Sequence, residues 1–200
     1  MRALILGLAI LLTSCSSVYQ KNKNAVVQVI EDEGVGTGVH IGDGYILTAA
    51  HVVDDDQELN IDGNETAVVV KIDHVTDLAL LKSDNTTRKS VKLSLREFGV
   101  GDPLTTISWH YGYLFLYAEG IHAGDRGWSV IPTTYTAFIQ SNPGSSGGPV
   151  FNSLGHLAGI IHAKHESITW YTGVKGLRKF LEDTPCSTNQ KSLLAVDVIK

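Results

Sequence analysis

Cysteine and charged residues are scarce in this sequence. Only Cys15 and Cys186 occur among its 200 residues, too few for the disulfide framework that stabilises many small secreted domains. Charged residues make up 18% of the chain, the formal net charge is −5, and no run of basic residues occurs. This balance argues against a nucleic-acid partner, because nucleic acids are bound through clustered Lys and Arg.

Long apolar runs are also absent. Residues 3–12 form an apolar run of about half the roughly 20 residues that a helix needs to cross a bilayer. Arg2 precedes this run, and Cys15 ends the Leu-Thr-Ser-Cys motif that follows it. The arrangement resembles a bacterial lipoprotein signal, which is cut before the cysteine so that the thiol can carry diacylglycerol. It predicts a signal peptide over residues 1–14 and a tether over residues 15–24; an ordinary signal peptide with an incidental cysteine remains the alternative.

Lipidation of Cys15 would have two consequences. It would leave Cys186 as the only thiol of the mature chain, so the apolar core would have to stabilise the fold without an internal disulfide. It would also make the protein an exported, membrane-anchored lipoprotein facing the periplasm or the cell surface, with the membrane as a partner bound through the N-terminal lipid.

Short strand-like runs dominate the sequence from residue 25 to residue 174. They are rich in Val, Ile, Leu, Thr and Tyr and are separated by Gly, Asp and Asn. Several alternate apolar and polar residues, which is typical of antiparallel strands with one buried face. The runs fall into two clusters of about six. We therefore predict an all-β fold of two six-stranded antiparallel β-barrels, over about residues 25–90 and about residues 95–175.

Three segments lie outside these two clusters. Residues 83–100 accumulate polar side chains and are expected to contain the linker between the barrels. Leu177 and Phe180 would share one side of a helix, which predicts a short C-terminal helix over residues 174–181. Residues 184–200 form a tail with no assigned function, for which a docked strand and a flexible end both remain open.

A glycine-rich segment carries the first sign of chemistry. Residues 142–149 are Asn-Pro-Gly-Ser-Ser-Gly-Gly-Pro. A nucleophilic serine needs an exposed hydroxyl on a sharp turn, with backbone N–H groups aimed at the developing oxyanion. Glycine permits such backbone conformations. Composition alone, however, favours an ordinary turn.

Two further segments change that interpretation. His51 follows a predicted strand within Thr-Ala-Ala-His, and Asp77 begins the strand-like Asp-Leu-Ala-Leu-Leu. A neutral imidazole can accept the serine proton, and a buried carboxylate can fix the tautomer of that imidazole. His51, Asp77 and Ser146 therefore form a predicted catalytic triad in the chain order His, Asp, Ser.

At this point a family resemblance emerges. Five segments resemble the HtrA/Deg-type trypsin-like serine proteases of the chymotrypsin fold: residues 36–51, 77–82, 100–104, 142–149 and 157–161. The resemblance extends over roughly residues 25–181, and it implies a protease domain over residues 25–183.

The resemblance implies a role for each site residue. His51 would be the general base, Asp77 would orient it, and Ser146 would be the nucleophile. The backbone N–H groups of Gly144 and Ser146 would form the oxyanion hole. The family pattern Gly-x-Ser-Gly-Gly selects Ser146 over its neighbour Ser145. Only Asp77, not the nearby Asp73, heads the matching strand.

The sequence departs from related families in two ways. Ser145 stands where zymogen-type digestive proteases place the Asp that pairs with a newly cut N-terminus, so activation by N-terminal cleavage is not expected. The chain as given leaves no room beyond residue 183 for the PDZ domain that HtrA members usually carry. Their oligomeric chaperone-protease behaviour is therefore not implied.

The resemblance also suggests a substrate pocket. It places the base of the pocket at Gln140, where enzymes that cut after Lys or Arg keep an Asp, so cleavage after basic residues is disfavoured. His162 lies on the strand that lines this pocket and could hydrogen-bond a Glu or Gln side chain of the substrate. The alternative for His162 is a surface position on that strand.

Other polar and aromatic features have structural interpretations. The acidic residues 54–56 are expected to form a solvated loop rather than a calcium site. His162 and His165 lack a third ligand in sequence that would suit a metal. Residues 109–117 are expected to form an aromatic hairpin that packs into the second barrel. We therefore expect neither a metal nor a cofactor.

Together these features predict a serine endopeptidase. It would hydrolyse peptide bonds of extracytoplasmic proteins or peptides through an acyl-enzyme. Two alternatives remain open, namely a catalytically silent lipoprotein binding module on the same fold and an esterase-like hydrolase with the same triad. An intact triad argues against the silent module, and preferential turnover of esters would favour the esterase.

Overall fold

The computed structural model of the protein describes residues 14–31, 34–53, 58–125 and 133–184. The first half of the chain forms a closed barrel of six strands: β1 (Val26–Glu31), β2 (Gly34–Gly42), β3 (Tyr45–Thr48), β4 (Glu58–Ile61), β5 (Glu65–Asp73) and β6 (Leu78–Ser83). Neighbouring strands are antiparallel, and the barrel closes in the order β1-β2-β3-β6-β5-β4.

The second half forms another closed barrel of six strands: β7 (Pro103–His110), β8 (Leu114–Asp125), β9 (Thr134–Phe138), β10 (Pro149–Phe151), β11 (Leu157–His165) and β12 (Ile168–Gly173). Its strands are also antiparallel and close in the order β10-β11-β12-β9-β8-β7. The predicted all-β fold of two six-stranded antiparallel barrels is confirmed. The expected hairpin at residues 109–117 is the β7–β8 turn.

Three apolar cores hold the barrels. Each barrel has its own interior, with Ile46 and Leu81 fully buried in the first and Val150 and Tyr171 in the second. The largest cluster contains residues of both barrels and of the C-terminal segment, including Val39, Leu47, Leu78, Ile107, Phe151, Ile160, Leu177 and Phe180. Because this apolar surface is removed from water only while the barrels are docked, it fixes their association.

In the described part of the chain two α-helices flank the barrels, α1 (Ser14–Asn22) and α2 (Val174–Leu181). The helix expected over residues 174–181 is therefore confirmed as α2. Leu177 and Phe180 are buried on its inner side. On its outer side a hydrogen bond attaches α2 to the segment between the barrels, since Arg178 Nη2 donates to the Leu95 carbonyl oxygen at 2.7 Å.

Helix α1 covers most of the expected tether, which is therefore not an extended linker along its length. The ring of Tyr19 packs edge-on against Tyr117, with the ring centroids 5.8 Å apart. Asn22 Nδ2 donates to the Gly155 carbonyl oxygen at 2.9 Å. These contacts attach the end of α1 to barrel two. Within the described part of the chain, no helix is long and apolar enough to cross a membrane. The expected signal peptide lies, except for Ser14, outside the described residues, and so do Cys186 and the tail from residue 185 onward.

The inter-barrel segment is docked along both barrels. The Val91 N–H donates to the His40 carbonyl oxygen of barrel one at 2.9 Å. Leu93 forms a parallel bridge with Leu157 of barrel two. Val91 and Leu93 are buried. The segment predicted as the linker therefore contributes to the interface between the barrels.

Barrel one contains a buried histidine that is independent of the predicted site. His40 on β2 is 1% exposed, and its Nε2 lies 4.0 Å from Glu65 Oε1. Glu65 also accepts hydrogen bonds from the Ser83 hydroxyl and from Arg88. Burial, reinforced by the positive charge of Arg88, lowers the pKa of His40 from 6.5 to about 4. The imidazole is therefore neutral in the folded protein at neutral pH.

This histidine makes the fold sensitive to mild acid. The unfolded chain takes up the His40 proton near pH 6.5, whereas the folded chain takes it up only near pH 4. The free energy of unfolding should therefore fall by up to about 3 kcal/mol between these pH values. The free energy of unfolding, measured with urea at several pH values in this range, should depend less steeply on pH in His40→Gln than in wild type. This pH dependence is the slope to be compared. His74→Gln, at an exposed loop position, should leave the slope unchanged; equal slopes in all three proteins would contradict the assignment.

Candidate active site

His51 is presented at the rim of barrel one. It lies in a single 3₁₀ turn, Ala50–Val52, immediately after β3. Ala49 and Ala50 are buried and fix the backbone of this turn, whereas 47% of the His51 side chain is exposed. The imidazole therefore faces solvent on one side while its backbone is held by the barrel.

Asp77 holds His51 with both carboxylate oxygens. Asp77 Oδ2 lies 2.7 Å from His51 Nδ1, and Asp77 Oδ1 accepts the His51 backbone N–H at 2.9 Å. The neighbouring Asp73 instead caps its own turn, accepting from the Thr76 hydroxyl at 2.7 Å. The geometry thus pairs His51 with Asp77 and leaves Asp73 a structural acid.

The environment keeps Asp77 ionised. Burial raises the pKa of the carboxyl group, but the hydrogen bond and the charge of His51 outweigh burial, so the net pKa is lowered. His162 adds a small effect of the same sign. An ionised Asp77 fixes the proton on His51 Nδ1 and leaves Nε2 free to act as a base.

A threonine of barrel two holds the peptide before Asp77. Asp77 has a φ of +53°, a left-handed conformation that costs on the order of 1 kcal/mol for a residue with a Cβ. The buried Thr172 hydroxyl donates to the Thr76 carbonyl oxygen at 2.8 Å. This bond spans the two barrels and fixes the backbone from which the Asp77 side chain projects.

The loop that contains Ser146 is pressed against barrel one by Thr37. The Thr37 N–H donates to the Ser146 carbonyl oxygen, and the Thr37 hydroxyl donates to the Gly144 carbonyl oxygen, both at 2.8 Å. The same hydroxyl accepts the Trp109 N–H at 2.9 Å. Thr48, three residues before His51, donates to the Thr37 carbonyl oxygen at 2.7 Å. Thr37 therefore connects the segments of His51 and Ser146.

Glycine is required next to Ser146. Gly147 has a φ of +81°, and a Cβ at this position would collide with the Thr37 carbonyl oxygen and the Thr48 hydroxyl. The Gly147 N–H donates to the Ile161 carbonyl oxygen at 2.7 Å. The absence of a side chain thus lets the chain pass directly beside the end of β3, from which His51 follows.

The peptide preceding Gly144 has a fixed orientation. The Tyr111 N–H donates to the Pro143 carbonyl oxygen at 2.7 Å. In a trans peptide the N–H points opposite to the carbonyl, so the Gly144 N–H is directed away from Tyr111. The φ of +91° at Gly144 is a conformation that glycine adopts without strain.

The peptide preceding Ser146 is fixed in the same manner. The Ser145 carbonyl oxygen accepts the Gly148 N–H at 2.9 Å, which directs the Ser146 N–H the opposite way. Two backbone donors are thereby oriented before any substrate arrives. Such fixed donors are what an oxyanion hole requires.

Ser145 is buried, whereas its neighbour Ser146 is half-buried. Ser145 is 2% exposed, and its hydroxyl donates to the Asn142 carbonyl oxygen at 2.6 Å and accepts the Asn142 N–H at 3.1 Å. The uncharged Ser145 side chain therefore makes hydrogen bonds only within its own loop in the described structure. The sequence predicted that Ser145 carries no charge for pairing with a new N-terminus, and these contacts describe what its side chain does instead.

Gln140 lines a recess beside the loop. It is exposed and borders a cavity of about 460 Å³ lined by Glu119, Phe138, Ile139, Gln140, Ser141, Asn142, Lys164, Glu166 and Ser167. Next to it, the Ser141 and Thr169 hydroxyls lie 2.7 Å apart, and Thr169 donates to the Ile139 carbonyl oxygen. Gln140 itself is an uncharged amide, and the carboxylates of the recess belong to Glu119 and Glu166.

The structure places His162 neither in the recess beside Gln140, where a pocket role was expected, nor at the surface, which was the alternative. It is 5% exposed. A register shift in β11 between Ile161 and Ala163 turns the side chain inward, where Nε2 lies 3.2 Å from the Thr134 hydroxyl. Thr134 pairs with Thr172, whose hydroxyl donates to the Thr76 carbonyl oxygen. His162 therefore lies on the Asp77 side of the site, consistent with its effect on the pKa of Asp77.

Three functional contacts have no local sequence pattern. The sequence assigns no individual role to Thr37, Thr172 or Asn142, because their partners lie 107, 96 and 32 positions away.

Two other sequence features lie away from this site. The acidic residues 54–56 lie outside the described residues, and His165 is exposed and stacks on Trp170.

Comparison with known proteins gives the family context. A family model described as trypsin-like peptidase domain matches residues 36–160. The chain is 39% identical over 140 residues to a probable periplasmic serine endoprotease, DegP-like, of Pseudomonas putida. It is 34% identical over 154 residues to a protein of the same description from Ectopseudomonas mendocina. These alignments cover 65% and 72% of this chain but only 29% and 32% of the relatives.

Solved structures share the fold. A serine endoprotease of Yersinia pestis superposes with a TM-score of 0.74 at 28% identity, covering 84% of this chain and 66% of that one. The active form of a Mycobacterium tuberculosis protease superposes with a TM-score of 0.75 at 18% identity, covering 85% of each chain; at that identity the likeness concerns the fold alone.

The family match covers more than half of the chain and includes His51, Asp77 and Ser146. The chain spans about three tenths of the length of the curated relatives described above. The protein belongs to the trypsin-like peptidase family.

Proposed function

We propose that the protein is a serine endopeptidase that hydrolyses peptide bonds of extracytoplasmic proteins through an acyl-enzyme. The main observation behind the proposal is that both carboxylate oxygens of Asp77 form hydrogen bonds with His51. Family membership and the names of the periplasmic relatives support it. No metal or cofactor is required for this chemistry.

Acylation would begin at Ser146. His51 Nε2 removes the hydroxyl proton as Ser146 Oγ attacks the carbonyl carbon of the scissile peptide bond. The ionised Asp77 stabilises the imidazolium that forms, and the N–H groups of Gly144 and Ser146 stabilise the negative oxygen of the tetrahedral intermediate.

Collapse and deacylation would complete the cycle. The imidazolium of His51 gives its proton to the leaving amine as the C–N bond breaks, which leaves an ester on Ser146. Water then attacks this ester with His51 again as the base, and the acid product and free serine are released. The net reaction is hydrolysis of one peptide bond.

The same proposal covers export and domain organisation. Residues 1–14 would be a signal peptide, Cys15 would carry the lipid anchor, residues 25–183 would be the protease domain, and residues 184–200 would follow as a tail. The partners would be protein or peptide substrates and, through the lipid, the membrane. The periplasmic relatives support the exported location.

Substrate preference at the cleavage position follows from the recess at Gln140. The family resemblance places Gln140, an uncharged amide, at the base of the pocket, so a Lys or Arg side chain would find no carboxylate there. Glu119 and Glu166 line the same recess together with the ammonium group of Lys164. Profiling with a peptide library should therefore show few cleavages after Lys or Arg, and a dominant basic preference would contradict this assignment.

The first of three predictions about the triad and the anchor separates the two adjacent serines. Ser146→Ala should abolish labelling by a fluorophosphonate probe, because the nucleophile is gone. Ser145→Ala should still be labelled, at a rate reduced at most about tenfold, since it loses only the brace to Asn142. In-gel fluorescence and intact-protein mass spectrometry measure the labelling of both variants. If Ser145→Ala alone were silent while Ser146→Ala still reacted, the nucleophile would be wrongly assigned.

The second prediction concerns the triad acid. In Asp77→Asn the amide can donate a hydrogen to His51 Nδ1 and favour the wrong tautomer, so peptide turnover should fall on the order of 10⁴-fold. Asp73→Asn is the matched control in the same turn, and it should retain turnover while losing some stability. Steady-state rates and urea unfolding distinguish the two. Near-normal turnover of Asp77→Asn would remove Asp77 from the triad.

The third prediction concerns the anchor. When the full chain is expressed in a Gram-negative host, the mature N-terminus should be an acylated Cys15, and the protein should partition into detergent. Cys15→Ala should abolish both results, whereas Cys186→Ala, which changes the only other cysteine, should alter neither. An unmodified N-terminus downstream of Cys15 would refute lipidation without affecting the protease assignment.

A further inference from the structure

A buried histidine lies beneath the loop that carries Ser146. His110 ends β7 and is 1% exposed. Its Nδ1 lies 3.0 Å from Asn142 Nδ2, and its Nε2 lies 2.9 Å from the Ser108 hydroxyl. The reaction proposed above uses neither His110 nor Asn142.

The orientation of the Asn142 amide is determined by its other neighbours. Asn142 Oδ1 accepts from the Tyr111 hydroxyl at 3.3 Å and from Lys164 Nζ at 3.5 Å. An ammonium group can only donate, so the amide oxygen must face Lys164. The amide nitrogen must then face His110.

These contacts define the protonation of His110. The Asn142 amide nitrogen only donates, so His110 Nδ1 must be the acceptor and the ring proton must lie on Nε2. That proton is donated to the Ser108 hydroxyl. Burial, aided by the charge of Lys164 on β11, lowers the pKa of His110 and maintains the neutral ring that Asn142 requires.

Asn142 in turn defines the turn before the nucleophile. Its carbonyl oxygen accepts from the Ser145 hydroxyl at 2.6 Å and from the Ser145 N–H at 2.9 Å. Tyr111, which adjoins His110 in the chain, binds the Pro143 carbonyl oxygen and so orients the next N–H. The position of Asn142 therefore sets the geometry of the two proposed oxyanion donors.

We propose that His110 is a positioning residue for the oxyanion hole. Through Asn142 it holds residues 142–146 in the form that presents the N–H groups of Gly144 and Ser146 to the substrate carbonyl. The proposal rests on the proposed protease function. In this chain a hydrogen-bond network that contains no carboxylate and needs no new N-terminus stabilises the loop, and its charged member is Lys164.

The test uses a pair of substitutions with nearly the same shape. In His110→Asn the amide oxygen comes close to the position of Nδ1 and can accept from Asn142, whereas in His110→Leu no acceptor remains. His122→Leu is the control for folding, because His122 is an equally buried histidine of barrel two that bonds Tyr171 rather than the loop.

Each variant is measured with a peptide substrate, a peptide boronic acid and the cleaved product peptide. The boronate forms a tetrahedral adduct with Ser146 that needs the oxyanion donors, whereas the product does not. His110→Leu should lower kcat and boronate affinity in parallel by roughly 10- to 100-fold, with KM and product affinity nearly unchanged. His110→Asn should recover most of the loss. An equal loss in His110→Asn and His110→Leu, or the same loss in His122→Leu, would overturn the positioning role.

A readout that does not depend on turnover separates this proposal from the protease assignment. If wild type neither cleaves peptides nor binds the boronate, the proposed function fails. The backbone ¹H–¹⁵N signals of Gly144 and Ser146 then decide the role of His110. They should shift in His110→Leu and return towards their wild-type positions in His110→Asn. Unchanged signals in His110→Leu would overturn the proposal.

Discussion

The site depends on the relative position of the two barrels, which the hydrogen bonds of Thr37 fix. His51 and Asp77 belong to barrel one, whereas Ser146 and its loop belong to barrel two. Thr37 bonds both the Ser146 and the Gly144 carbonyl oxygens while accepting from Thr48 near His51. The apolar cluster between the barrels supplies most of the favourable free energy of docking. The directional bonds of Thr37 set the relative position of the two halves.

Most hydrogen bonds at the junction between the two barrels join uncharged groups. Thr172 holds the peptide before Asp77, and Ser145 and Asn142 hydrogen-bond each other within the turn that precedes Ser146. Asp77 is the carboxylate among these groups, and its partner is His51. Its negative charge therefore lies beside the imidazole that becomes positive during the proposed reaction.

The sequence predicted the elements whose patterns are local. Alternating strands, the helix α2 and the three triad motifs each lie within a few consecutive residues, so periodicity and family resemblance identify them. Thr37, Thr172 and His110 escaped prediction because a buried polar residue acquires its role from a partner far away in sequence. The position predicted for His162 was wrong because the pairing register of β11 shifts at this residue. Such a shift changes the side of the strand to which a side chain points, and the alternation of apolar and polar residues does not reveal it. Helix α1 escaped because its attachment depends on packing against Tyr117.

The central claim is that the two barrels assemble one acyl-transfer site around Ser146. A crystal structure of the protein with a peptide aldehyde tests it most directly. The account predicts a covalent bond from Ser146 Oγ to the aldehyde carbon, with the resulting oxygen about 3 Å from the N–H groups of Gly144 and Ser146. An adduct on another residue, or an oxygen directed away from both N–H groups, would contradict it.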